Sequence, residues 1–450
     1  MPAPLALLRA STPAPPLRSR PARRTAMAMV TNVTSDDALA VHVTVSSNFD
    51  GGAIAGVESR ANVRGAGVTA VHIKRDEGGA AMHFAFRAGN LRRGTKYQFA
   101  LLGADRATYA EGWASSSYKV WASEDLENWF QVEDTTHPGE AKTGDEDEHP
   151  DALRWSIVAN TTAVTFAYYP LYTAEQTARL CARAQSQAPD MCRWCPSVLP
   201  TAMSNVGADV LFFGSPPPHW PGYNQNSDAN RPMIWIICRQ HPGESQASWV
   251  AEGFVKKLLD EPGLAAVADI AVVPCINQGG ASAGAHRHNL AGADLNRAWG
   301  APNAATSPEV LACRAAVTAR GANVLLDIHA DESLPAVFRS HSAHGVPGIS
   351  KDAMALRNRF DTELLKRCPD FQTEIGYTAP PPGKANTNIC ANWATETFPW
   401  ALAACLEVPY GSVAHRPERG AFSPARCREL GVALVETLES ILPHMNINNY

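Results

Sequence analysis

The sequence lacks the features of a membrane-spanning, disulfide-stapled or nucleic-acid-binding protein. Its 450 residues contain no apolar run near the roughly 18 residues that a transmembrane helix needs. The net charge is −5 and no basic block stands out beyond the N-terminal segment, which argues against nucleic acid as a partner. The ten cysteines are scattered, and several lie inside apolar runs, as core residues in a reducing compartment do. We therefore expect a globular protein of two domains, with no membrane and no nucleic acid among its partners.

One cysteine pair has the spacing of a metal or redox motif. Cys192 and Cys195 form a C-x-x-C sequence, but no second pair and no histidine at ligand spacing accompanies it. We therefore interpret both cysteines as structural residues.

Residues 1–28 differ in composition from the rest of the chain. They are rich in alanine, proline, serine and arginine, and no acidic residue precedes Asp36. This composition is typical of an organelle transit peptide, and the alternative is a disordered extension with the functional start at Met27 or Met29. We treat residues 1–36 as such an extension and expect a cytoplasmic protein, or a plastid or mitochondrial one if the segment is a transit peptide.

Residues 37–170 are predicted to form an antiparallel β-sandwich domain. Short runs alternate between apolar and polar residues, with many aromatic and β-branched side chains, and residues 41–45, 82–86 and 96–100 are examples. Glycine, asparagine and aspartate turns separate these runs, a pattern typical of antiparallel sheets with one buried face. The acidic stretch over residues 133–151 is interpreted as a solvated loop.

Residues 171–450 have the alternating pattern of an α/β domain. A helix is expected to begin after Thr173, which is a suitable N-cap. Residues 182–206 and 214–232 are rich in proline, glycine, serine and asparagine and are predicted to be loops. From about Val210 onward, apolar strand-like runs alternate with amphipathic helices. This pattern predicts a sheet covered by helices on both faces, with its chemistry beyond the carboxyl ends of the strands.

Two of these strand ends carry candidate metal ligands. His241-Pro-Gly-Glu244 follows the apolar run 233–238 by two residues and precedes a stretch with helical periodicity. His329 comes directly after the apolar run 324–328. Two histidines and one glutamate leave a tetrahedral zinc ion one open position, as in catalytic sites. Histidines in loops and carboxylates at helix starts are also common as caps and surface pairs, and these residues alone leave both interpretations open.

The same four letters occur once more, as His137-Pro-Gly-Glu140. That copy lies in the acidic stretch, with no apolar strand before it and no amphipathic helix after it. We therefore interpret it as a coincidence of sequence.

Arg287, Asn296 and Arg297 form a candidate anion-binding set in a glycine-containing segment after a strand. A guanidinium pairs with a carboxylate through two parallel hydrogen bonds, so Arg297 with Asn296 is suited to hold a terminal carboxylate. Ordinary surface salt bridges are the alternative for these residues.

Glu407 is a single carboxylate in the apolar run 402–408. Burial of a carboxylate is costly unless something pairs with it. A zinc-bound water would be such a partner, and an arginine near the strand end is the alternative.

Four segments appear in the order of a known protein family, and two more lie in the N-terminal half, one of them Phe166-Ala-Tyr-Tyr-Pro-Leu-Tyr172. Together they resemble the cytosolic carboxypeptidase group of zinc metallocarboxypeptidases, and the resemblance covers most of the chain after residue 37. The third segment is closer to bacterial members than to the tubulin-modifying animal enzymes, which points away from tubulin as the substrate. The segments are Arg239-Gln-His-Pro-Gly-Glu-Ser-Gln-Ala-Ser-Trp249, Asn289-Leu-Ala-Gly-Ala-Asp-Leu-Asn-Arg-Ala-Trp299, Asp327-Ile-His-Ala-Asp-Glu332, Leu406-Glu-Val-Pro409 and, in the N-terminal half, Phe84-Ala-Phe-Arg-Ala-Gly-Asn-Leu-Arg-Arg-Gly94.

The resemblance implies a fold, a cofactor and a set of roles. The implied fold is the zinc carboxypeptidase fold, an α/β fold with a mixed β-sheet flanked by helices, here preceded by the β-sandwich. The implied cofactor is one zinc ion per chain, and the implied partner is the C-terminus of a peptide or protein. By residue, the implied roles are zinc ligation by His241, Glu244 and His329, general-base catalysis by Glu407, polarisation of the scissile carbonyl by Arg287, and binding of the C-terminal carboxylate by Asn296, Arg297 and Arg287.

The expected activity is therefore that of a metallocarboxypeptidase, with removal of C-terminal glutamate as one candidate specificity. A pocket for glutamate needs a basic side chain, for which Lys384 and Arg339 are candidates, and a solvated loop position is the alternative for both. Two other functions remain open. One is a zinc amidohydrolase that deacylates a small amino-acid-like molecule, and the other is an inactive binding module.

Overall fold

The computed structural model describes most of the chain after the N-terminal extension. The predicted extension over residues 1–36, most of the predicted loop over residues 214–232 and the middle of the acidic stretch lie outside the described residues. None of the described helices is both long enough and apolar enough to cross a bilayer. The described ranges are residues 43–60, 67–115, 118–140, 150–214 and 231–445.

The N-terminal part contains ten strands and one short helix within the described residues. The strands are β1 (Thr44–Ser46), β2 (Gly56–Arg60), β3 (Val68–His72), β4 (Ala85–Gly89), β5 (Lys96–Leu102), β6 (Trp121–Ser123), β7 (Trp129–Gln131), β8 (Thr135–Thr136), β9 (Leu153–Val158) and β10 (Ala163–Ala167), and the helix is α1 (Gly112–Ser115).

These strands form two five-stranded sheets, with the orders β1-β4-β10-β6-β7 and β2-β3-β5-β9-β8. Every neighbouring pair is antiparallel except β3 and β5, which run parallel. The parallel pair arises because β4, which lies between them in sequence, belongs to the other sheet. The predicted sandwich is therefore confirmed, with one parallel pair that alternation of side chains does not reveal.

The core of the sandwich is built from aromatic side chains. Phe86, Phe99, Trp155 and Phe166 are all buried. Their ring centroids lie between 4.7 and 6.2 Å apart, mostly tilted or edge to face. Such pairs stabilise a core beyond the area that they bury. The sandwich thereby becomes a firm support for the loops at its edge.

The remaining helices and strands belong to the second part. The strands are β11 (Cys192–Leu199), β12 (Ala208–Phe213), β13 (Met233–Cys238), β14 (Asp269–Val273), β15 (Val324–Asp331), β16 (Phe338–Arg339) and β17 (Leu402–Pro409). The helices are α2 (Ala174–Gln187), α3 (Gln246–Asp260), α4 (Gly263–Val267), α5 (Gln278–Ser282), α6 (Pro308–Arg320), α7 (Lys351–Arg367), α8 (Cys390–Thr397) and α9 (Pro424–Ile441).

A mixed seven-stranded sheet organises this second part, with the order β11-β12-β14-β13-β15-β17-β16. The four central strands run parallel, and β11, β12 and β16 are antiparallel to their neighbours. Every residue of β13 and β17 is buried, as expected for strands covered on both faces. The predicted mixed sheet flanked by helices is confirmed, and its central strands end along one edge.

The predicted loop over residues 182–206 is wrong. Helix α2, whose predicted N-cap Thr173 accepts a hydrogen bond from Gln176 N, extends to Gln187, and β11 occupies residues 192–199. The strand contains Pro196, and its pairing with β12 shifts register between residues 195 and 199. An edge strand with a bulge tolerates proline, so composition concealed it.

The C-x-x-C pair lies in this edge strand. Cys192 and Cys195 are both buried and unbonded to each other. They belong to two different apolar clusters, and their spacing of three residues along the strand places them on opposite faces of the sheet. This arrangement agrees with the structural interpretation of both residues.

The sandwich packs directly against the start of helix α3. The ring of Tyr168 stacks on that of Tyr410 with centroids 4.3 Å apart. Pro170 O accepts hydrogen bonds from Ser245 Oγ at 2.8 Å and Trp249 Nε1 at 3.1 Å. Because Ser245 directly follows the predicted ligand Glu244, the sandwich supports the turn that carries this ligand.

Candidate metal centre

A tight turn after β13 places His241 and Glu244. Arg239 adopts φ 62° and its Nε donates to Pro242 O at 2.8 Å, which folds the chain back after the strand. A Cβ at Gly243 would lie only 2.7 Å from His286 Nδ1, so glycine alone permits this close approach. Helix α3 then starts at Gln246, and Glu244 projects from the turn before it.

The parallel register of the sheet brings His329 to the same place. Cys238 at the end of β13 pairs with Ile328 of β15, the residue before His329. Glu244 then bridges the two histidines, with Oε1 2.6 Å from His241 Nδ1 and Oε2 2.9 Å from His329 Nδ1. All three side chains are buried, and their ligand atoms lie within 4.8 Å of one another. The structure thus brings together the three predicted ligands.

The outer nitrogens of both histidines face carboxylates. His241 Nε2 lies 3.2 Å from Asp294 Oδ1, and His329 Nε2 lies 3.0 Å from Asp327 Oδ2. A histidine that donates Nε2–H to a carboxylate presents the lone pair of Nδ1 to a metal, and metal-binding histidines are usually oriented in this way. Asp327 is in turn fixed by Gln240, whose Nε2 donates to both of its oxygens at 2.8 Å. Two oriented imidazoles and a carboxylate are a donor set that suits zinc.

The charges at this centre depend on one another. Burial raises the pKa of Glu244, but His241 and His329 outweigh burial and hold that pKa well below its usual range. Burial lowers the pKa of His329, but Asp327 and Glu244 outweigh burial and raise it. The centre is therefore rich in carboxylates that attract a cation.

Glu407 lies beside His329 in the sheet. The register of β15 and β17 pairs the two residues, so both side chains leave the sheet on the same face. Glu407 is buried, and its Oε1 accepts a weak hydrogen bond from Cys405 Sγ at 3.4 Å. No arginine pairs with it within the described ranges, so the alternative of a strand-end ion pair has no support there.

Arg287 is fixed by partners on two sides. Its Nε and Nη2 lie 2.9 and 2.8 Å from Asp294 Oδ2, and its Nη1 donates to Tyr109 Oη at 2.9 Å. Asp294 also faces His241, so one carboxylate connects a predicted metal ligand with Arg287. Arg287 therefore belongs to the centre and is not part of an ordinary surface salt bridge.

Comparison with known proteins identifies the family. The model of the cytosolic carboxypeptidase N-terminal domain matches residues 45–169, and the zinc carboxypeptidase model matches residues 208–410. The chain belongs to the zinc carboxypeptidase family. The second match contains the candidate metal centre described above.

Individual relatives agree with this assignment. An uncharacterized protein from Zymomonas mobilis is 28% identical over 410 residues, which cover 90% of this carboxypeptidase and 98% of that protein. Cytosolic carboxypeptidase 1 from Danio rerio is 23% identical over 395 residues, which cover 80% of this chain and 31% of that protein. The chain thus spans less than a third of the length of this animal relative.

Solved bacterial structures have the same architecture. A metallo-carboxypeptidase from Pseudomonas aeruginosa matches with a TM-score of 0.77 and 29% identity, over 90% of this carboxypeptidase and 100% of that chain. A metallo-carboxypeptidase from Burkholderia cenocepacia matches with a TM-score of 0.74 and 28% identity, over 89% of this carboxypeptidase and 99% of that chain. The resemblance found in the sequence and the fold that it implies are both confirmed.

The two halves of the predicted carboxylate clamp differ in this carboxypeptidase. Asn296 is buried, with Nδ2 3.1 Å from His329 Nε2 and Oδ1 accepting from Cys390 N at 2.9 Å. Arg297 is exposed, and its Nη1 donates only to Asn296 O at 2.8 Å. Among the described residues no carboxylate pairs with Arg297. Arg297 is therefore open to a ligand, whereas Asn296 is buried and fixed through its Oδ1.

The two candidates for a basic specificity residue also differ. Lys384 is exposed on a loop. Arg339 is buried in β16, where it pairs with both carboxylate oxygens of Asp361 at 2.7 Å. Its Nη1 has no hydrogen-bond partner in the described part of the chain. Arg339 is thus not the solvated loop residue considered as its alternative.

The second His-Pro-Gly-Glu sequence forms no such centre. His137 Nδ1 lies 3.3 Å from Glu140 Oε1, so the local pair does form. Its other ring nitrogen hydrogen bonds to Tyr118 O, and Glu140 is exposed. No third ligand approaches it within the ranges that the structure describes. This outcome agrees with its interpretation as a coincidence.

Sequence reasoning missed four residues of the centre. Asp327 had a signal, because it is a single acid in an apolar run, and Asp294 lies within a recognised motif. Nothing in the sequence indicated that Tyr109 and Tyr377 lie at the centre. The ring of Tyr377 packs edge-on against that of Phe338, with centroids 5.0 Å apart. Phe338 lies on β16 and pairs in register with Glu407 on β17.

Proposed function

We propose that this protein binds one zinc ion per chain through His241, Glu244 and His329 and hydrolyses the last peptide bond of peptide or protein substrates. The observation that carries this proposal is the convergence of both histidine Nδ1 atoms on Glu244, with Glu407 on the same face of the next strand. When bound, zinc supplies Lewis-acid chemistry that polarises a carbonyl and lowers the pKa of water to about 7.

Glu407 is the proposed general base and acid. Its carboxylate accepts the proton of the attacking water and later donates a proton to the departing amine. Its place in the buried end of β17 keeps it oriented and shielded from bulk solvent. Burial raises the pKa of Glu407 well above its usual range, and His329 lowers it only in part, so its carboxylate accepts a proton readily.

Arg287 is proposed to stabilise negative charge that develops on the scissile carbonyl oxygen. Preorganised donors of this kind are effective because they need no rearrangement during the reaction. Asp294 and Tyr109 hold the guanidinium on two sides, so its orientation is set before substrate arrives.

Arg297 is proposed to bind the free C-terminal carboxylate, which makes the enzyme an exopeptidase. We expect Arg297→Ala to raise KM about tenfold and leave kcat nearly unchanged, because a hydrogen bond to a charged group contributes about 1.5–3 kcal/mol and exposure weakens it. Steady-state hydrolysis of a short peptide measures both constants. Arg179→Ala, on the exposed face of α2, is the matched control and should change neither.

A second substrate tests the same clamp without mutation. A peptide with an amidated C-terminus offers no carboxylate, so the wild-type enzyme should cleave it far more slowly than the free acid. Equal cleavage of both peptides would contradict the clamp. Cleavage of N-acylated amino acids in preference to peptides would favour the amidohydrolase.

We further propose that the cavity beside β16 accommodates the side chain of the last residue and prefers glutamate. Phe338, Arg339 and Tyr377 line this cavity. Both oxygens of Asp361 already accept from Arg339, which leaves Arg339 Nη1 as the free donor for an acidic side chain. We expect peptides that end in glutamate to have the highest kcat/KM in a series that varies only the last residue. A preference for arginine or leucine would contradict this specificity and leave the zinc centre untouched.

The metal content separates the enzyme from an inactive binding module. The purified protein should contain one zinc ion per chain by elemental analysis.

The cysteines bear on the cellular compartment of the protein. All ten are free thiols, which supports a reducing compartment such as the cytoplasm.

A further inference from the structure

We infer that the β-sandwich takes part in catalysis by positioning Arg287 through the hydroxyl of Tyr109. This inference rests on the role proposed above for Arg287. Tyr109 belongs to the sandwich, in the loop between β5 and α1, and lies 178 positions before Arg287 in sequence. It would be a positioning residue, because it contacts Arg287 and not the reacting atoms.

The contacts of Arg287 define what Tyr109 contributes. A guanidinium has five N–H groups. Asp294 accepts from Nε and Nη2, and Tyr109 accepts from Nη1. Both contacts with Asp294 go to its Oδ2. With Asp294 alone, the guanidinium of Arg287 could therefore tilt about this single oxygen. The Tyr109 hydroxyl supplies a second anchor on the opposite side, so that the two remaining N–H groups keep one direction.

Tyr109 is itself held firmly. Thr108 N donates to Ala81 O at 2.7 Å, and Thr108 Oγ1 accepts from Ala81 N at 2.8 Å. Gly112 N donates to Tyr109 O at 2.8 Å, which closes the following turn. The ring of Tyr109 lies edge-on to His286 with centroids 6.0 Å apart. A rigid acceptor of this kind orients its donor better than a mobile one does.

The sandwich also fixes the backbone that carries Arg287. Asp76 Oδ2 accepts from the backbone N–H of Arg287 at 2.8 Å and of His288 at 3.0 Å, and Asp76 Oδ1 lies 3.0 Å from His288 Nδ1. Burial raises the pKa of Asp76, but these hydrogen bonds outweigh burial and hold that pKa well below its usual range. A Cβ at Gly78 would overlap the His288 ring, so glycine permits this close packing.

The neighbouring residues are tied to the sandwich as well. Lys74 Nζ donates to Ala283 O at 2.9 Å, and Gly51 N donates to Ser282 O at 3.0 Å. The segment from Ala283 to His288 follows the short helix α5 and pairs with no strand among the described residues. Contacts with the sandwich therefore help to set its conformation, and side-chain placement within about 0.5 Å matters for catalysis.

The test is the variant Tyr109→Phe, which removes only the hydroxyl. We expect kcat to fall about tenfold with KM nearly unchanged, because the lost hydrogen bond orients a group that acts in the transition state. Zinc content and the thermal midpoint should match those of the wild type. Tyr97→Phe is the control, since its hydroxyl accepts from Arg92 N in the same domain, away from the centre.

A double-mutant cycle separates this inference from the role of Arg287. Arg287→Ala alone should lower kcat by about 100-fold or more, as removal of a preorganised donor does. Adding Tyr109→Phe to Arg287→Ala should cause no further loss. An equal loss in both backgrounds, or no loss from Tyr109→Phe alone, would overturn the inference while leaving Arg287 in its role. Full activity of Arg287→Ala would instead overturn the proposed role of Arg287.

Discussion

Replacing His329 by alanine is expected to abolish zinc binding and carboxypeptidase activity together. His329 supplies one of three ligands, and two ligands alone do not hold zinc in a catalytic site. The change also removes the histidine that pairs with the buried carboxylates of Glu244 and Asp327. Breaking a buried pair of this kind costs about 3–5 kcal/mol, so the free energy of unfolding should fall as well. Elemental analysis, peptide hydrolysis and denaturant unfolding measure the three effects.

The repeated His-Pro-Gly-Glu sequence provides the control for this experiment. His137→Ala removes the histidine of the second His-Pro-Gly-Glu sequence, which lies outside the centre. This variant should leave zinc content and activity unchanged. Glu244→Gln is a second variant that keeps the size of the side chain and should also lose zinc. One tightly bound zinc ion in His329→Ala would show that the ligand set is wrong.

The meeting of the three proposed ligands was predictable because two general rules act together. Buried parallel strands appear in the sequence as continuous apolar runs, and 233–238 and 324–328 have that character. In such sheets the carboxyl ends of the strands lie along one edge. The observed pairing of Cys238 with Ile328 brings the two strand ends level, and the residues that follow them meet.

Contacts between distant segments were not predictable in this way. Tyr109 and Arg287 are 178 positions apart, and nothing in the local sequence of either identifies the other. The edge strand β11 was missed for a related reason, since its Pro196 is tolerated because of a bulge and because one side of the strand has no partner among the described residues. Local pattern specifies an element and its buried face, while pairing across the chain depends on the whole fold.

One carboxylate connects the separate parts of the centre. Asp294 Oδ1 faces His241, and Asp294 Oδ2 binds Arg287, which in turn reaches Tyr109. A shift of the sandwich would therefore change the orientation of Arg287 and, through Asp294, that of the proposed metal ligand His241. This connection gives a physical reason for the sandwich and the carboxypeptidase domain to occur in one chain.

Replacing Glu407 by glutamine is expected to lower kcat by roughly 100- to 10,000-fold, the usual contribution of a general acid–base residue. Glutamine keeps the shape of the side chain and cannot take up a proton. None of the three ligand contacts involves Glu407, so zinc content should remain at one ion per chain. Cys405→Ser, which changes its neighbour on β17, is the control and should retain most of the activity. Wild-type turnover in Glu407→Gln would exclude Glu407 as the base.

The same variant should also change the pH dependence of stability in protein stripped of metal. Burial raises the pKa of Glu407 well above its usual range, and His329 only partly offsets this. A carboxyl with a raised pKa in the folded state stabilises the fold below its unfolded pKa, and this contribution is lost as pH rises through the folded value. Glutamine does not ionise and therefore loses no stability in this way. The thermal midpoint of Glu407→Gln minus that of the wild type should be larger at pH 8 than at pH 5. A difference that stays constant with pH would show that Glu407 carries its charge in the fold at no cost from burial.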